Sequence, residues 1–186
     1  MKHLRFKNTL RLFAVMAMLF CFCSSQAQDD LQNFIDNFSN HPMTRADSGD
    51  DYLEIDLSNF SATERHVTLY IRERKVRFVN GSLTRASDLE GPVLEVSEGG
   101  TVEVAAGATI GNWIWDAVDR MSPTIKLDEG SLFVKGTVLD TWEKLGPSIE
   151  MLSDNDKVVI ESGGVLYSMI NNLAKGYIDI KKGSKL

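Results

Sequence analysis

The chain has 186 residues, with 20 Lys and Arg against 26 Asp and Glu, a formal charge of −6, and 43% hydrophobic residues. That length accommodates one ordinary domain with a packed core. The acidic balance opposes nucleic-acid and anionic-surface binding, and two cysteines, Cys21 and Cys23, exclude a disulfide-dense scaffold.

Residues 1–27 read as a secretory signal peptide: basic Lys2, Arg5, Lys7 and Arg11, an apolar run from Leu12 to Phe22, then Ser25-Gln26-Ala27 as a small-x-small cleavage site. That run is shorter than the ~20 residues needed to span a bilayer, and no later segment approaches this length, so no transmembrane segment is expected in the mature chain. Phe20 and Phe22 stand where a bacterial lipid-attachment signal requires a small residue. Lipid anchoring at Cys21 or Cys23 is therefore not expected. A mature chain starting near Gln28 has no cysteine and carries 16 basic against 26 acidic residues, a charge of −10. Nucleic acid is not an expected partner, and the expected location is the periplasm, the cell surface or the medium. The terminal Ser184-Lys185-Leu186 matches a peroxisomal address, but the N-terminal signal would act first.

Residues 28–42 are expected to form a short amphipathic helix. Asp29 and Asp30 can cap it, and Leu31, Phe34, Ile35 and Phe38 fall on one face before Asn40-His41-Pro42 ends it. Its expected role is to cover an open end of the domain. Residues 43–51 are polar and without periodicity, a linker in which Arg45 is a protease-accessible candidate. The remaining 52–186 form one β domain. In YLEIDLSNF, Leu53, Ile55 and Leu57 alternate as an irregular opening unit. The run Arg72-Glu73-Arg74-Lys75 reads as a solvated turn rather than an anion site.

From Val67 to Tyr167 a three-strand phrase recurs four times. First strands carry the apolar pairs Leu69/Ile71, Leu94/Val96, Ile125/Leu127 and Ile149/Met151; second strands carry Val76/Phe78, Val102/Val104, Leu132/Val134 and Val158/Ile160. A glycine follows each second strand (Gly81, Gly107, Gly136, Gly163), then a stub with Leu83, Ile110, Val138 or Val165. A fifth unit is expected to open at Tyr177 with YIDI. The anchors Leu69, Leu94, Ile125, Ile149 and Ile178 are 25, 31, 24 and 29 residues apart.

This pattern resembles the right-handed parallel β-helix, the pectate-lyase-like and adhesin-like solenoid, and the signal and polar spacer resemble those of bacterial envelope proteins. The resemblance implies about five coils, each of three short strands around a triangular core, stacked at roughly 4.8 Å, with glycine supplying positive φ at a corner. The rival architecture is an antiparallel sandwich with a hairpin around Ser97 to Gly100.

Three insertions interrupt the phrase: Gly111 to Ser122 (GNWIWDAVDRMS), Asp140 to Gly146 (DTWEKLG) and Ser168 to Gly176 (SMINNLAKG). Following the third strand each time, they are expected to form short helical turns projecting from one corner. They hold every tryptophan, Trp113, Trp115 and Trp142, with Asp116, Asp119, Arg120, Asp140 and Glu143 beside them and Tyr167 just before the third. Exposed aromatic faces flanked by carboxylates suit a glycan; inward packing of the same rings onto the solenoid flank is the alternative. The β-helix lyases and glycosidases use calcium-binding acids with a basic residue, or clustered aspartates with a histidine. Here His41 and His66 lie outside the insertions, and no paired-aspartate motif occupies a strand. Catalytic residues are therefore not assigned. No metal site is expected, although Asp154, Asn155 and Asp156 are weak calcium candidates in a turn lacking the EF-hand glycine and glutamate. No cofactor motif is present. The expectation is an exported non-enzymatic β-solenoid, a surface or secreted binding or structural module of adhesin-like type, with a glycan or cell-surface partner and self-association through the C-terminal coil. The alternative is a small polysaccharide lyase or glycosidase of the β-helix class.

Overall fold

Alternation of apolar and polar residues over four or five positions gives a strand one buried and one exposed face. The computed structural model describes residues 31–37, 51–60, 64–86, 89–111, 122–139, 147–167 and 169–186. Its strands, numbered in chain order, fall into three sheets. The first holds β3 (Leu69–Arg72), β6 (Leu94–Ser97), β9 (Ile125–Asp128), β12 (Ile149–Met151) and β15 (Ile170–Asn172). The second holds β1 (Leu53–Asp56), β4 (Lys75–Val79), β7 (Thr101–Val104), β10 (Ser131–Val134), β13 (Lys157–Ile160) and β16 (Tyr177–Ile180). The third holds β2 (Glu64–Arg65), β5 (Gly81–Arg85), β8 (Ala108–Ile110), β11 (Thr137–Val138) and β14 (Val165–Leu166).

The chain visits the sheets in rotation, and each strand pairs in parallel with its counterpart one coil away, as in Val102 with Leu132 and Leu132 with Val158. This is a parallel β-helix of about five coils. The hairpin around Ser97 to Gly100 does not form, because β6 and β7 belong to different sheets. The first and second sheets turn the expected apolar pairs inward. Leu69, Leu94, Ile125 and Ile149 form one fully buried column, and Val76, Val102, Leu132 and Val158 form another.

Two expected positions are corrected. The fifth coil opens with β15, not with Tyr177: Ile170 pairs with Ile149, whereas Ile178 pairs with Val158 in the second sheet. Of the expected insertion, Ser168 lies outside the described residues, and residues 169–176 are not an insertion but a first strand and its corner. The inward residue of β14 is Leu166, in register with Val138; Val165 is only half-buried.

The corner glycines have two causes. Gly81, Gly107 and Gly163 adopt positive φ, as expected, but Gly136 does not. A Cβ there would sit 2.3 Å from the Ala105 carbonyl oxygen, so close approach of two coils requires glycine. Where the first sheet turns into the second, Gly100 and Gly130 face the same limit: an added Cβ would sit 2.5 Å from a carbonyl oxygen of the preceding coil. The equivalent place in the first complete coil is Arg74, with no earlier first-sheet strand above it.

Residues 31–36 are helical. Leu31 and Ile35 join the core, and Phe34 meets Phe60 edge-on at 6.0 Å. The Gln32 amide accepts from the Tyr70 backbone N–H at 2.8 Å and donates to its C=O at 3.0 Å, occupying the outer edge of β3 as a neighbouring peptide group would. Arg74 donates to the Asp36 carbonyl and Lys75 lies 3.9 Å from Asp51, so the basic run is tied into this end of the solenoid. Phe38 lies outside the described residues. Below, the Ser58 hydroxyl and the Asn80 amide hold the Asp56 carboxyl below its usual range.

Val134 is fully buried between Val104 and Ile160. Val134→Asp places an unpaired charge in that column, which costs several kcal/mol against a stability of roughly 5–15 kcal/mol. Loss of the cooperative thermal melt is the expected result, checked by circular dichroism.

Candidate functional site

The corner from the third sheet to the first is where the connections lengthen. Between strand ends they run over residues 86–93 in the first complete coil, 111–124 in the second and 139–148 in the third, but only 167–169 in the fourth. Trp113, Trp115, Asp116, Asp119, Arg120, Asp140, Trp142 and Glu143 all lie outside the described residues. Of the expected binding residues, only Tyr167 is described; it is 47% exposed directly after β14.

The rims from which these connections leave and return are described and tightly made. On the exit side, Ala86 N–H donates to Arg65 C=O, Gly111 to Leu83, Leu139 to Ile110 and Tyr167 to Val138, at 2.8–3.0 Å. On the return side, Val93 donates to Thr124, Ile125 to Ser148 and Ser148 to Met169, at 2.8–2.9 Å. Hydroxyls reinforce this rim: Thr68 donates to Pro92 C=O, Thr124 to Leu139 and Ser148 to Tyr167, each at 2.8–2.9 Å. Gly111 leaves with φ +90, and a Cβ there would come 2.2 Å from the Leu139 carbonyl oxygen.

A sequence signal for this rim lay in the prolines. Pro92, Pro123 and Pro147 each stand two residues before a first-sheet anchor, Leu94, Ile125 or Ile149. Fixed φ and the missing N–H suit a corner where the chain enters a strand.

Arg85 joins two of the connections. Buried at the end of β5, it donates to the carbonyls of Gly91 (2.6 Å), Pro123 (2.7 Å), Leu89 (3.3 Å) and Ser122 (3.4 Å), the return residues of successive coils. The Ser122 hydroxyl also donates to Glu90 C=O. Fully buried Arg65 is in register with Arg85 on β2. No residue of this anchor was among the expected site residues, because an isolated arginine after a polar strand carries no recognisable pattern.

The calcium candidates sit in one turn between β12 and β13. Asp154 and Asn155 are exposed. Asp156 is buried, and its carboxylate accepts from Leu152 and Ser153 N–H at 2.8 Å and from Gly130 N–H of the preceding coil at 2.9 Å. These three donors take most of the carboxylate's acceptor sites. Among the described residues, no three His, Cys, Asp or Glu are grouped to hold a metal. Carboxylates on the flat faces are paired too: Glu103 lies 2.9 Å from Arg77 and 3.1 Å from Lys135, and Glu95 lies 3.2 Å from Lys126. A separate cavity of about 300 Å³ on the first corner is lined by Asp51, Leu53, Glu73, Arg74 and Lys75. No helix among the described residues is long and apolar enough to cross a membrane. No protein-family model, curated protein or solved structure matches the chain.

Two outcomes follow from these contacts. Asp156→Ala leaves three backbone donors without their acceptor and is expected to destabilise by about 2–4 kcal/mol, read from urea unfolding, while calcium leaves the parent's melting temperature unchanged. Arg85→Met strips four carbonyls of their donor. Amide exchange is expected to quicken at residues 89–94 and 122–125 before it does so in β10 or β13.

Proposed function

We propose that the chain is an exported, non-enzymatic module built on a right-handed solenoid over residues 52–186, with residues 28–42 as the end cap, and that its third corner binds a glycan on a cell or matrix surface. Right-handedness follows from the strong preference of parallel crossover connections. The observation that carries the reading is the contrast at that corner. Strands of the first two sheets keep three to five residues and an unshifted register, yet the connections at this corner run to fourteen and ten residues in the second and third coils, against eight in the first and three in the fourth, above a rim held by Arg85, Thr124 and Ser148. A rigid scaffold presenting long loops from one edge is a recurrent arrangement for recognition. The sequence places all three tryptophans in those loops, with Asp116, Asp119, Arg120, Asp140 and Glu143 available to accept from or donate to sugar hydroxyls.

The glycan reading is tested with Trp115→Ala and Trp142→Ala on a glycan array. Each is expected to lose most of the parent's binding while its melting temperature moves little. Strong destabilisation by both, with no glycan bound by the parent, would overturn the reading. Release of unsaturated or reducing sugar ends from a bound polysaccharide would instead favour the lyase or glycosidase alternative.

A further inference from the structure

The two ends of the solenoid are finished differently. At the first end, Leu31 and Ile35 close the core and the Gln32 amide fills the edge of β3. At the other, β16 is the outer strand of the second sheet. Ile178 and Ile180 continue its two inward columns, in register with Val158 and Ile160. They are nevertheless 36% and 46% exposed, whereas Val158 and Ile160 are fully buried. Tyr177 and Lys181 donate their N–H groups toward the preceding coil, so the alternation of a parallel ladder turns the N–H and C=O of Ile178 and Ile180 toward the free edge. An apolar row beside unpaired backbone groups is a site for another strand.

Charge selects the occupant and the register. A second copy related by a two-fold axis lays β16 antiparallel to itself. Centred on Asp179, the pairing opposes two carboxylates, which is unfavourable. Centred on Ile178, it sets Asp179 against an uncharged tyrosine. Centred on Ile180, it gives an Ile180–Ile180 hydrogen-bonded pair and sets each Asp179 opposite the partner's Lys181, in the non-hydrogen-bonded position where side chains approach most closely. Asp179 and Lys181 already contact each other within one chain, so both lie where such an exchange can occur. A copy stacked head to tail would have to displace Gln32 and the buried Leu31 and Ile35. We propose that the chain forms a closed two-fold dimer, tail to tail through β16, in the register centred on Ile180. This is independent of what the third corner binds.

Sedimentation velocity on the purified protein tests the proposal, with circular dichroism confirming that each variant folds. A dimer is expected at micromolar concentrations, with slowed amide exchange at Ile178 and Ile180 as concentration rises. Asp179→Lys sets lysine against lysine and is expected to weaken dimerisation about tenfold or more. Asp179→Lys with Lys181→Asp restores the opposition of charges and is expected to recover the dimer. Ile180→Lys is expected to give a folded monomer, because the residue is half-exposed in the single chain. A parent that stays monomeric with unchanged exchange at Ile178 and Ile180, a dimer indifferent to Asp179→Lys, failure of the folded double variant to recover, or an open-ended series of oligomers would each overturn the proposal.

Discussion

Each inner strand of the solenoid hydrogen-bonds to the strands one coil before and one coil after it, in parallel and without a shift of register, so a side chain's neighbours are fixed at the same phase of adjacent coils. The separation runs from 20 residues, Val158 to Ile178, to 31, Leu94 to Ile125. The constraint acts first on the core, where columns such as Val76, Val102, Leu132 and Val158 keep nearly constant width. It acts equally on the backbone. Gly100, Gly130 and Gly136 are required because each corner lies directly under carbonyl oxygens of the coil before it.

The same stacking governs the outer faces. Identical charges repeated along a column would sit at strand spacing and repel, and the columns avoid this. One outward row of the second sheet reads Glu54, Arg77, Glu103, Phe133, Val159 and Asp179. Arg77 stacks on Tyr52 at 4.7 Å while reaching Glu103, and Lys157 lies between the rings of Phe133 and Tyr177. In the first sheet the row reads Tyr70, Glu95, Lys126, Glu150 and Asn171. Part-buried ion pairs of this kind lose much of their Coulombic gain to desolvation. Their order matters more for fixing which coil lies on which.

The core of the first four coils was legible in the sequence because period-two alternation leaves no other way to bury pairs such as Leu132 and Val134. The fifth coil was misplaced for the same physical reason. Ile170-Asn171-Asn172 has one apolar residue and is only half-buried, so its strand character comes from pairing with β12 rather than from its own pattern. Tyr177–Ile180 alternates clearly and drew the phase onto itself. Asp156 read as a surface turn because acids usually are solvated; its burial depends on a backbone donor from Gly130, 26 residues earlier. Of the candidate corner, the sequence showed the loops and their tryptophans but not the anchor beneath them. Arg85 acts through carbonyl groups, which every residue possesses.

Asp156 also bears on how neighbouring coils are joined. Contacts between neighbouring coils span one turn of chain, 20 to 31 residues, however tall the stack. Most inter-coil bonds require a whole strand to be in place. Asp156 instead ties its own turn, through Leu152 and Ser153, to Gly130 of the coil before it with one carboxylate. Closing that 26-residue loop fixes the corner of the fourth coil directly on that of the third, where β10 and β13 begin in register.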